Sequence, residues 1–221
     1  MVPRRRRQQR QQRQQRSVRI GVFGGTFDPP HVGHLILAAD AFEALRLDKL
    51  VFVPARAQPL KVERPAVATS KERLEMVRLA IAGDARYSVD ETEISREGLS
   101  FTVDTLEGLS AKYDGAQLFL LLGEDSLRTF DRWKNPERIR ELATLAVMHR
   151  SAAGEVMKRA RPSSKQKGVE TLSTRQVDVS STEIRQRLSD GKSIKGFVPE
   201  SVEKFIASRR LYQSRGAEVA G

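Results

Sequence analysis

Cysteine is absent from this 221-residue chain, and histidine, tyrosine and tryptophan are scarce, with three, three and one copies. Without cysteine the chain can form no disulfide framework, thiolate metal site or thiol nucleophile. It has no apolar run near the roughly 18 residues that cross a membrane. No apolar stretch follows its basic N-terminus, so we expect no signal peptide. These absences favour a cytoplasmic protein with no membrane partner.

Positive charge is in excess, but it is concentrated at one end of the chain. The net charge is +11, and residues 1–16 hold seven arginines and no acidic residue, which leaves +4 for residues 17–221. This segment has almost no apolar side chain, so we expect a disordered Arg/Gln-rich arm. The arm is either an extension without a specific role, which we favour, or a contact for nucleic acid or another anionic surface.

Helical and strand-like patterns alternate along residues 17–214, which we interpret as a single domain followed by a tail over 215–221. The predicted strands are 18–25, 49–54, 87–94, 116–125, 144–150 and a short one that begins at residue 176. The predicted helices are 34–47, 69–83, 100–113, one starting at Asn135-Pro136, one over 180–191 and 198–212. Residues 151–176 are predicted to form an irregular connection.

Several of the predicted strands are apolar throughout, as in a sheet that is covered on both faces. Their alternation with helices indicates an α/β fold. We therefore predict a doubly wound, mainly parallel sheet with helices on both faces. Ligands of such sheets bind beyond the carboxyl ends of the strands.

The stretch GGTFDPPHVGH (24–34) lies between the first strand and the first helix. Gly24 and Gly25 let backbone amides approach a ligand closely, and the following helix N-terminus suits a phosphate. His31 and His34 share one face of that helix start, where both can donate hydrogen bonds to a polyphosphate. A zinc pair is the competing interpretation, although zinc needs further ligands.

Two common phosphate loops are excluded at this turn. Its glycines do not follow the G-x-G-x-x-G dinucleotide pattern, and no lysine follows them as in the Walker loop. A second candidate phosphate site is VSSTEIRQRL (179–188). Ser180, Ser181 and Thr182 are predicted to cap a helix, and Arg185 lies one turn later, within reach of the same phosphate oxygens.

The turn GGTFDPPHVGHL resembles the signature of bacterial nicotinate-nucleotide adenylyltransferases, in the HxGH nucleotidyltransferase superfamily, and VSSTEIR resembles the second signature. The resemblance implies a Rossmann-like fold. It implies catalytic roles for His31, His34 and Arg185. It implies ATP or phosphate binding by Gly24, Gly25, Thr26, Phe27, Lys61, Gly123, Asp125, Ser180, Ser181 and Thr182, and no metal ligand from protein side chains.

Two further segments resemble this family where it binds the acceptor. REGLSFTVDTL (96–106) implies that backbone groups near Thr102 meet the nicotinate carboxylate, and LLLGEDSLRTFDRW (120–133) implies that Trp133 stacks on the pyridine ring. Asp125 would bind a ribose or order the site. QPLK (58–61) departs from the family pattern, since Leu60 stands where a histidine is usual, although Lys61 keeps its charge.

The activity that the resemblance implies is transfer of AMP from ATP to nicotinate mononucleotide, with Mg²⁺ accompanying ATP. The products are nicotinate adenine dinucleotide and pyrophosphate, in NAD biosynthesis. The alternatives are nicotinamide mononucleotide or another acceptor of the same superfamily. A nucleic-acid-binding protein acting through residues 1–16 is the alternative of a different class. The oligomeric state is not indicated.

Overall fold

Six parallel strands form the framework of residues 17–59, 65–151 and 168–213, which the computed structural model describes. Their order in the sheet is β3-β2-β1-β4-β5-β6. The strands are β1 (Arg19–Gly25), β2 (Lys49–Pro54), β3 (Tyr87–Val89), β4 (Gln117–Gly123), β5 (Ala143–Ser151) and β6 (Val169–Arg175). The predicted doubly wound α/β fold is confirmed, and every neighbouring pair of these strands is parallel.

Helices connect the strands and extend beyond the last one. They are α1 (Val32–Ala44), α2 (Ser70–Ile81), α3 (Thr92–Ser95), α4 (Thr102–Lys112), α5 (Glu124–Arg128), α6 (Pro136–Leu142), α7 (Ser181–Ser189) and α8 (Glu200–Arg209). The predicted capping box begins α2, where the Thr69 hydroxyl accepts a hydrogen bond from the Glu72 N–H and the Glu72 carboxylate accepts one from the Thr69 N–H.

The apolar side chains of the strands alternate between two cores, one on each face of the sheet. Ile20 and Val22 of β1 belong to the core that α4 and α6 cover. Phe23 of the same strand belongs to the core that α1 and α2 cover. Because both faces are buried, the inner strands β2 and β4 are apolar at almost every position, which is why their pattern predicted a parallel sheet.

A third apolar cluster attaches the C-terminal helices to α2. Met76 of α2 packs in it with Ile184 of α7 and Val202 and Ile206 of α8. The same cluster includes Tyr212, which is 9% exposed. The end of the described chain is therefore fixed beside α2.

Several predicted boundaries are wrong. Strand β3 ends at Val89, and α3 begins within the range predicted as strand. Strand β6 lies in the predicted irregular connection, while residues 176–180 form no strand. Helix α6 begins at Pro136 as predicted, but Asn135 precedes it with a left-handed backbone and no capping hydrogen bond from its side chain.

Some predictions concern residues outside the described ranges. They are the arm over 1–16, Leu60 and Lys61, most of the 151–176 connection and the tail over 215–221. The domain boundaries at 17 and 214 remain predictions. Among the helices described, none is long and apolar enough to cross a membrane.

Candidate active site

Strand β1 lies at the centre of the sheet, between β2 and β4, and the chain leaves β1 and β4 toward opposite faces. In such a sheet the crevice beyond the carboxyl ends of these two strands is the usual place for a ligand. The pairing of Val22 with Leu120 brings both ends level, and the strands end in Gly25 and Gly123. Because both of these last residues are glycines, neither contributes a side chain that would fill the crevice.

The turn after β1 is built around Phe27. Its backbone has a positive φ of 51°, and its ring is buried beside Phe23, His34 and Phe52. A Cβ on Gly25 would lie 2.9 Å from this ring, whereas a Cβ on Gly24 would meet nothing within 4 Å. Gly25 is therefore needed for packing, and Gly24 presents open backbone. Only the backbone of Phe27 is free to meet a ligand.

The two histidines of the turn lie face to face, with ring centroids 3.8 Å apart and planes 35° apart. The backbone N–H of His31 donates a hydrogen bond to His34 Nδ1, at 3.2 Å. A neutral imidazole that accepts at Nδ1 carries its proton on Nε2. The local backbone thus makes His34 Nε2 a hydrogen-bond donor rather than a free metal ligand.

Both histidines are neutral at pH 7. Burial lowers the pKa of His31 from its ordinary value of 6.5 to about 4. Burial, and then the neighbouring His31, lower the pKa of His34 well below that ordinary value. Without a bound anion the pair therefore offers N–H donors and no net charge.

Gly33, between the histidines, allows their stacking. A Cβ on this residue would lie 3.0 Å from the Cε1 and Nδ1 atoms of the His31 ring. That separation is closer than side chains normally tolerate, so any larger residue would displace the ring. The glycine of the HVGH sequence is thus explained by the position of the first histidine.

The two signature segments meet at this turn. Ser181 Oγ donates to the carbonyl oxygen of Pro29 at 2.8 Å, and an Arg185 guanidinium nitrogen donates to that of Asp28 at 2.7 Å. These bonds join residues 152 and 157 positions apart. Helix α7 therefore starts directly beside the turn.

The side chains at the start of α7 already have protein partners. Ser180 Oγ accepts from the Glu183 N–H, as predicted for a cap, and Thr182 Oγ1 accepts from Arg185. What remains for an anion is the pair of N–H groups of Ser181 and Thr182 in the first turn of α7, which have no partner within the helix. The Arg185 side chain, 28% exposed, holds the two segments together and borders the crevice.

The predicted acceptor residues also lie at this edge of the sheet. Thr102 is the first residue of α4. Trp133 follows β4 and packs against the same core as Phe101, and its indole N–H is buried without a partner among the described residues. Lys134 places its Nζ 4.6 Å above the Phe101 ring and 3.1 Å from the Asp104 carboxylate, which brings the Trp133 segment beside the start of α4.

Asp125, a predicted ATP-binding residue, makes only a loose contact in the structure. Asp125 in α5 is almost fully exposed, and its carboxylate pairs only loosely with Arg128, at 3.7 Å. Nothing in this geometry orders the site through Asp125. Lys61 lies outside the described ranges.

The sequence interpretation missed three polar residues that surround the turn: Asp28, Arg73 and Tyr212, all buried. Asp28 lies in the GGTFDPPHVGH stretch, but no role was predicted for it. Arg73 adjoins the apolar stripe of α2, and Tyr212 lies at the end of the last predicted helix. A charged residue next to a core stripe was the available signal.

Comparison with known proteins identifies the family of this chain. Residues 22–187 match the family model described as cytidylyltransferase-like. A protein of Gemmatimonas aurantiaca, named "Probable nicotinate-nucleotide adenylyltransferase", is 48% identical over 89% of this chain and 93% of its own. A protein of the same name from Thermus thermophilus is 41% identical over 89% of this chain and 100% of its own.

A solved structure shares the fold at much lower sequence identity. The nicotinic acid mononucleotide adenylyltransferase of Plasmodium falciparum, complexed with NaAD, aligns with a TM-score of 0.68. It covers 88% of this chain and 97% of its own, at 17% identity.

Proposed function

Because the chain belongs to the nicotinate-nucleotide adenylyltransferase family, we propose that it transfers AMP from ATP to nicotinate mononucleotide. A phosphate oxygen of the mononucleotide forms a bond to the α-phosphorus of ATP. The bond from that phosphorus to the bridging oxygen breaks, and pyrophosphate leaves. The products are nicotinate adenine dinucleotide and pyrophosphate, in NAD biosynthesis.

The acceptor is already an anion, so the reaction needs neither a side-chain nucleophile nor a strong base. The enzyme has to hold two anions in line and stabilise the charge that develops on the α-phosphate and on the leaving pyrophosphate. Donors fixed before the reaction do this most effectively. A turn between two helix N-termini is suited to that task.

The convergence of the two signature segments at the crevice supports this function best. The bonds from Ser181 to Pro29 and from Arg185 to Asp28 place the N-termini of α1 and α7 side by side. We propose that Gly24, Gly25 and the backbone of residues 26–27 contact the triphosphate. Ser180, Ser181 and Thr182 would contribute their backbone N–H groups.

His31 and His34 would donate neutral hydrogen bonds to the phosphates, and Arg185 would supply positive charge. Lys61 and Gly123 complete the proposed ATP site. Asp125 would reach a ribose hydroxyl. Because His34 Nδ1 is engaged by the backbone, Nε2 is the atom through which this histidine acts.

Magnesium is proposed to bind together with ATP. In residues 17–59, 65–151 and 168–213, no group of three or more histidine or carboxylate side chains could hold a metal ion. We propose that the substrate is the Mg²⁺ complex of ATP, in which the metal is bound by phosphate oxygens. Magnesium favours such sites, where phosphates and water supply most of its ligands.

We propose that the first turn of α4, near Thr102, receives the nicotinate carboxylate and that Trp133 stacks on the pyridine ring. A helix N-terminus carries partial positive charge, which favours a carboxylate over a neutral carboxamide. Nicotinate mononucleotide should therefore have a higher kcat/KM than the nicotinamide form. We further infer that the enzyme works in the cytoplasm.

Pyrophosphate release from MgATP tests the proposal, with nicotinate mononucleotide, nicotinamide mononucleotide and pantetheine phosphate as parallel acceptors. We expect release with the first and much less with the other two. Equal kcat/KM for the two pyridine mononucleotides would contradict the carboxylate site. Release with pantetheine phosphate alone would contradict the proposed acceptor while leaving the ATP site intact.

A further inference from the structure

Arg73 of α2 is a buried arginine whose hydrogen bonds all go to backbone carbonyl groups. It is 1% exposed. One terminal nitrogen donates to Thr26 at 2.7 Å and to Ala55 at 2.6 Å, and the other donates to Arg56 at 3.1 Å. Its Nε donates to Ala68 at 3.3 Å. A single guanidinium thus binds the turn after β1 and both described ends of the β2–α2 connection.

Asp28 makes the complementary set of bonds. Its carboxylate, on a residue 3% exposed, accepts from the backbone N–H groups of Val67 at 2.7 Å and Ala68 at 3.1 Å. It also accepts from the phenol of Tyr212 at 2.7 Å. Asp28 therefore binds the N–H groups of the β2–α2 connection, whereas Arg73 binds carbonyl groups of the same connection.

The electrostatics tie these three side chains into one unit. Burial lowers the pKa of Arg73, and the carboxylate of Asp28 opposes that effect. Burial raises the pKa of Tyr212, and Asp28 raises it further, so the phenol stays protonated as a donor. A buried charge of either sign is tolerated when its partners are complete, as they are here.

The backbone groups that Arg73 and Asp28 bind all belong to loops. Thr26 belongs to the turn that receives phosphate in the proposed function, and the carbonyl of Asp28 is the acceptor of Arg185. Through Arg73 this turn is joined to residues 55–56 and to Ala68.

We propose that Arg73, Asp28 and Tyr212 are positioning residues, which fix the turn of residues 24–30 relative to residues 55–56 and 67–68. They touch no substrate. They set the direction in which the backbone N–H groups of the turn point, and displacements of about 1 Å in such groups can cost about a hundredfold in rate. The inference rests on the proposed phosphate role of the turn.

Two conservative variants test the proposal. Tyr212→Phe removes one donor to Asp28 and keeps the ring that packs in the third cluster. Arg73→Lys keeps the charge, but a single ammonium with three donors cannot reproduce the four bonds of the planar guanidinium. The matched control is Arg19→Lys. Arg19 also donates to a backbone carbonyl, that of Leu45 at 2.8 Å, but it begins β1 at the opposite end of the sheet.

Calorimetry gives Kd for MgATP and for nicotinate mononucleotide, and thermal unfolding gives Tm. We expect Arg73→Lys to raise Kd for MgATP about tenfold or more, and Tyr212→Phe to raise it by a smaller factor. Kd for the mononucleotide should stay within about twofold in both. Arg19→Lys should lower Tm without changing either Kd.

Unchanged Kd for MgATP in both test variants would overturn the positioning role. An equal rise in Kd for both ligands that also occurs in the Arg19→Lys control would overturn it too, because general destabilisation would then explain the effect. Should Arg73→Lys fail to fold, Tyr212→Phe alone decides between these outcomes. Absence of MgATP binding by the wild-type protein would instead contradict the proposed function.

Discussion

His34 is the single side chain whose loss should cost the reaction most. Its Nδ1 accepts from the His31 backbone, which leaves Nε2–H as a fixed donor beside the turn. Fixed donors of this kind are worth about 2.7–4 kcal/mol in the transition state. The value of the imidazole here lies in its direction rather than its charge, since its pKa is well below 6.5.

We expect His34→Ala to lower kcat by about 10²–10³-fold while the protein still folds. His34→Gln, which retains a neutral N–H donor, should recover part of that loss. Steady-state kinetics and circular dichroism measure both variants. Wild-type turnover in the alanine variant would contradict the assigned role.

The depressed pKa of His31 should appear in the stability of the protein. Between pH 6.5 and about 4 the histidine is protonated in the unfolded chain and neutral in the folded one. The unfolded state then binds more protons, so the free energy of unfolding decreases as the pH falls through this window. His31 alone accounts for about 3 kcal/mol of this decrease.

Urea unfolding at pH 7 and pH 4.5 measures this decrease. His31→Gln, which removes the titrating group, should lose less stability than the wild type over the same interval. Identical losses in the two proteins would show that another group is responsible.

At the scale of helices and strands, the elements that were predicted correctly are those whose structure depends on their own side chains. Strand β2 has the predicted bounds because it is buried on both faces, and α2 has its capping box because both partners are local. Strand β6 was missed because only some of its residues are buried and it pairs with β5 alone. Its structure depends on a neighbour that a local pattern does not contain.

The candidate site likewise has a part that the sequence predicted and a part that it did not. The turn and the serines at the start of α7 were predicted because phosphate binding needs recognisable residues at fixed spacing. The bonds between those two segments, and the three buried positioning residues, are contacts over long sequence separations. Local spacing carries no information about such contacts. For the same reason, the sequence pattern does not specify the sheet order that places β1 beside β4.

Two helix glycines give a test at this scale. Gly33 in α1 and Gly108 in α4 are both helical, but a Cβ on Gly108 meets nothing within 4 Å. Gly108→Ala should raise the free energy of unfolding by about 0.5–1 kcal/mol, because alanine favours helix. Gly33→Ala should gain little stability and lose about tenfold or more in kcat as the His31 ring is displaced.

Denaturant unfolding and steady-state kinetics on both variants distinguish these outcomes. A Gly33→Ala enzyme with wild-type kcat would mean that the position of the His31 ring is unimportant for catalysis.

At the scale of the whole molecule, the charge of the chain is divided between an arm and an almost balanced remainder. Residues 1–16 carry +7 of the total of +11. The crevice of the proposed site is formed by other residues, all C-terminal to this arm. The arm and the catalytic part should therefore be separable.

Deletion of residues 1–16 should leave kcat/KM within about twofold of the full-length value, because no proposed site residue is removed. Any affinity of the full chain for DNA should decline steeply with salt and vanish on the same deletion. Pyrophosphate release and fluorescence anisotropy at several salt concentrations measure the two properties. Loss of catalysis on deletion would contradict this separation.

The bond between Tyr212 and Asp28 spans 184 positions, nearly the length of the described chain. During synthesis the turn is made before strands β2 to β6, and Tyr212 is made after all of them. A nascent chain halted before residue 212 has the whole signature turn and every strand of the sheet, but lacks the donor that completes the Asp28 carboxylate. The Asp28 carboxylate therefore acquires its full set of donors only after every strand of the described sheet has been synthesised.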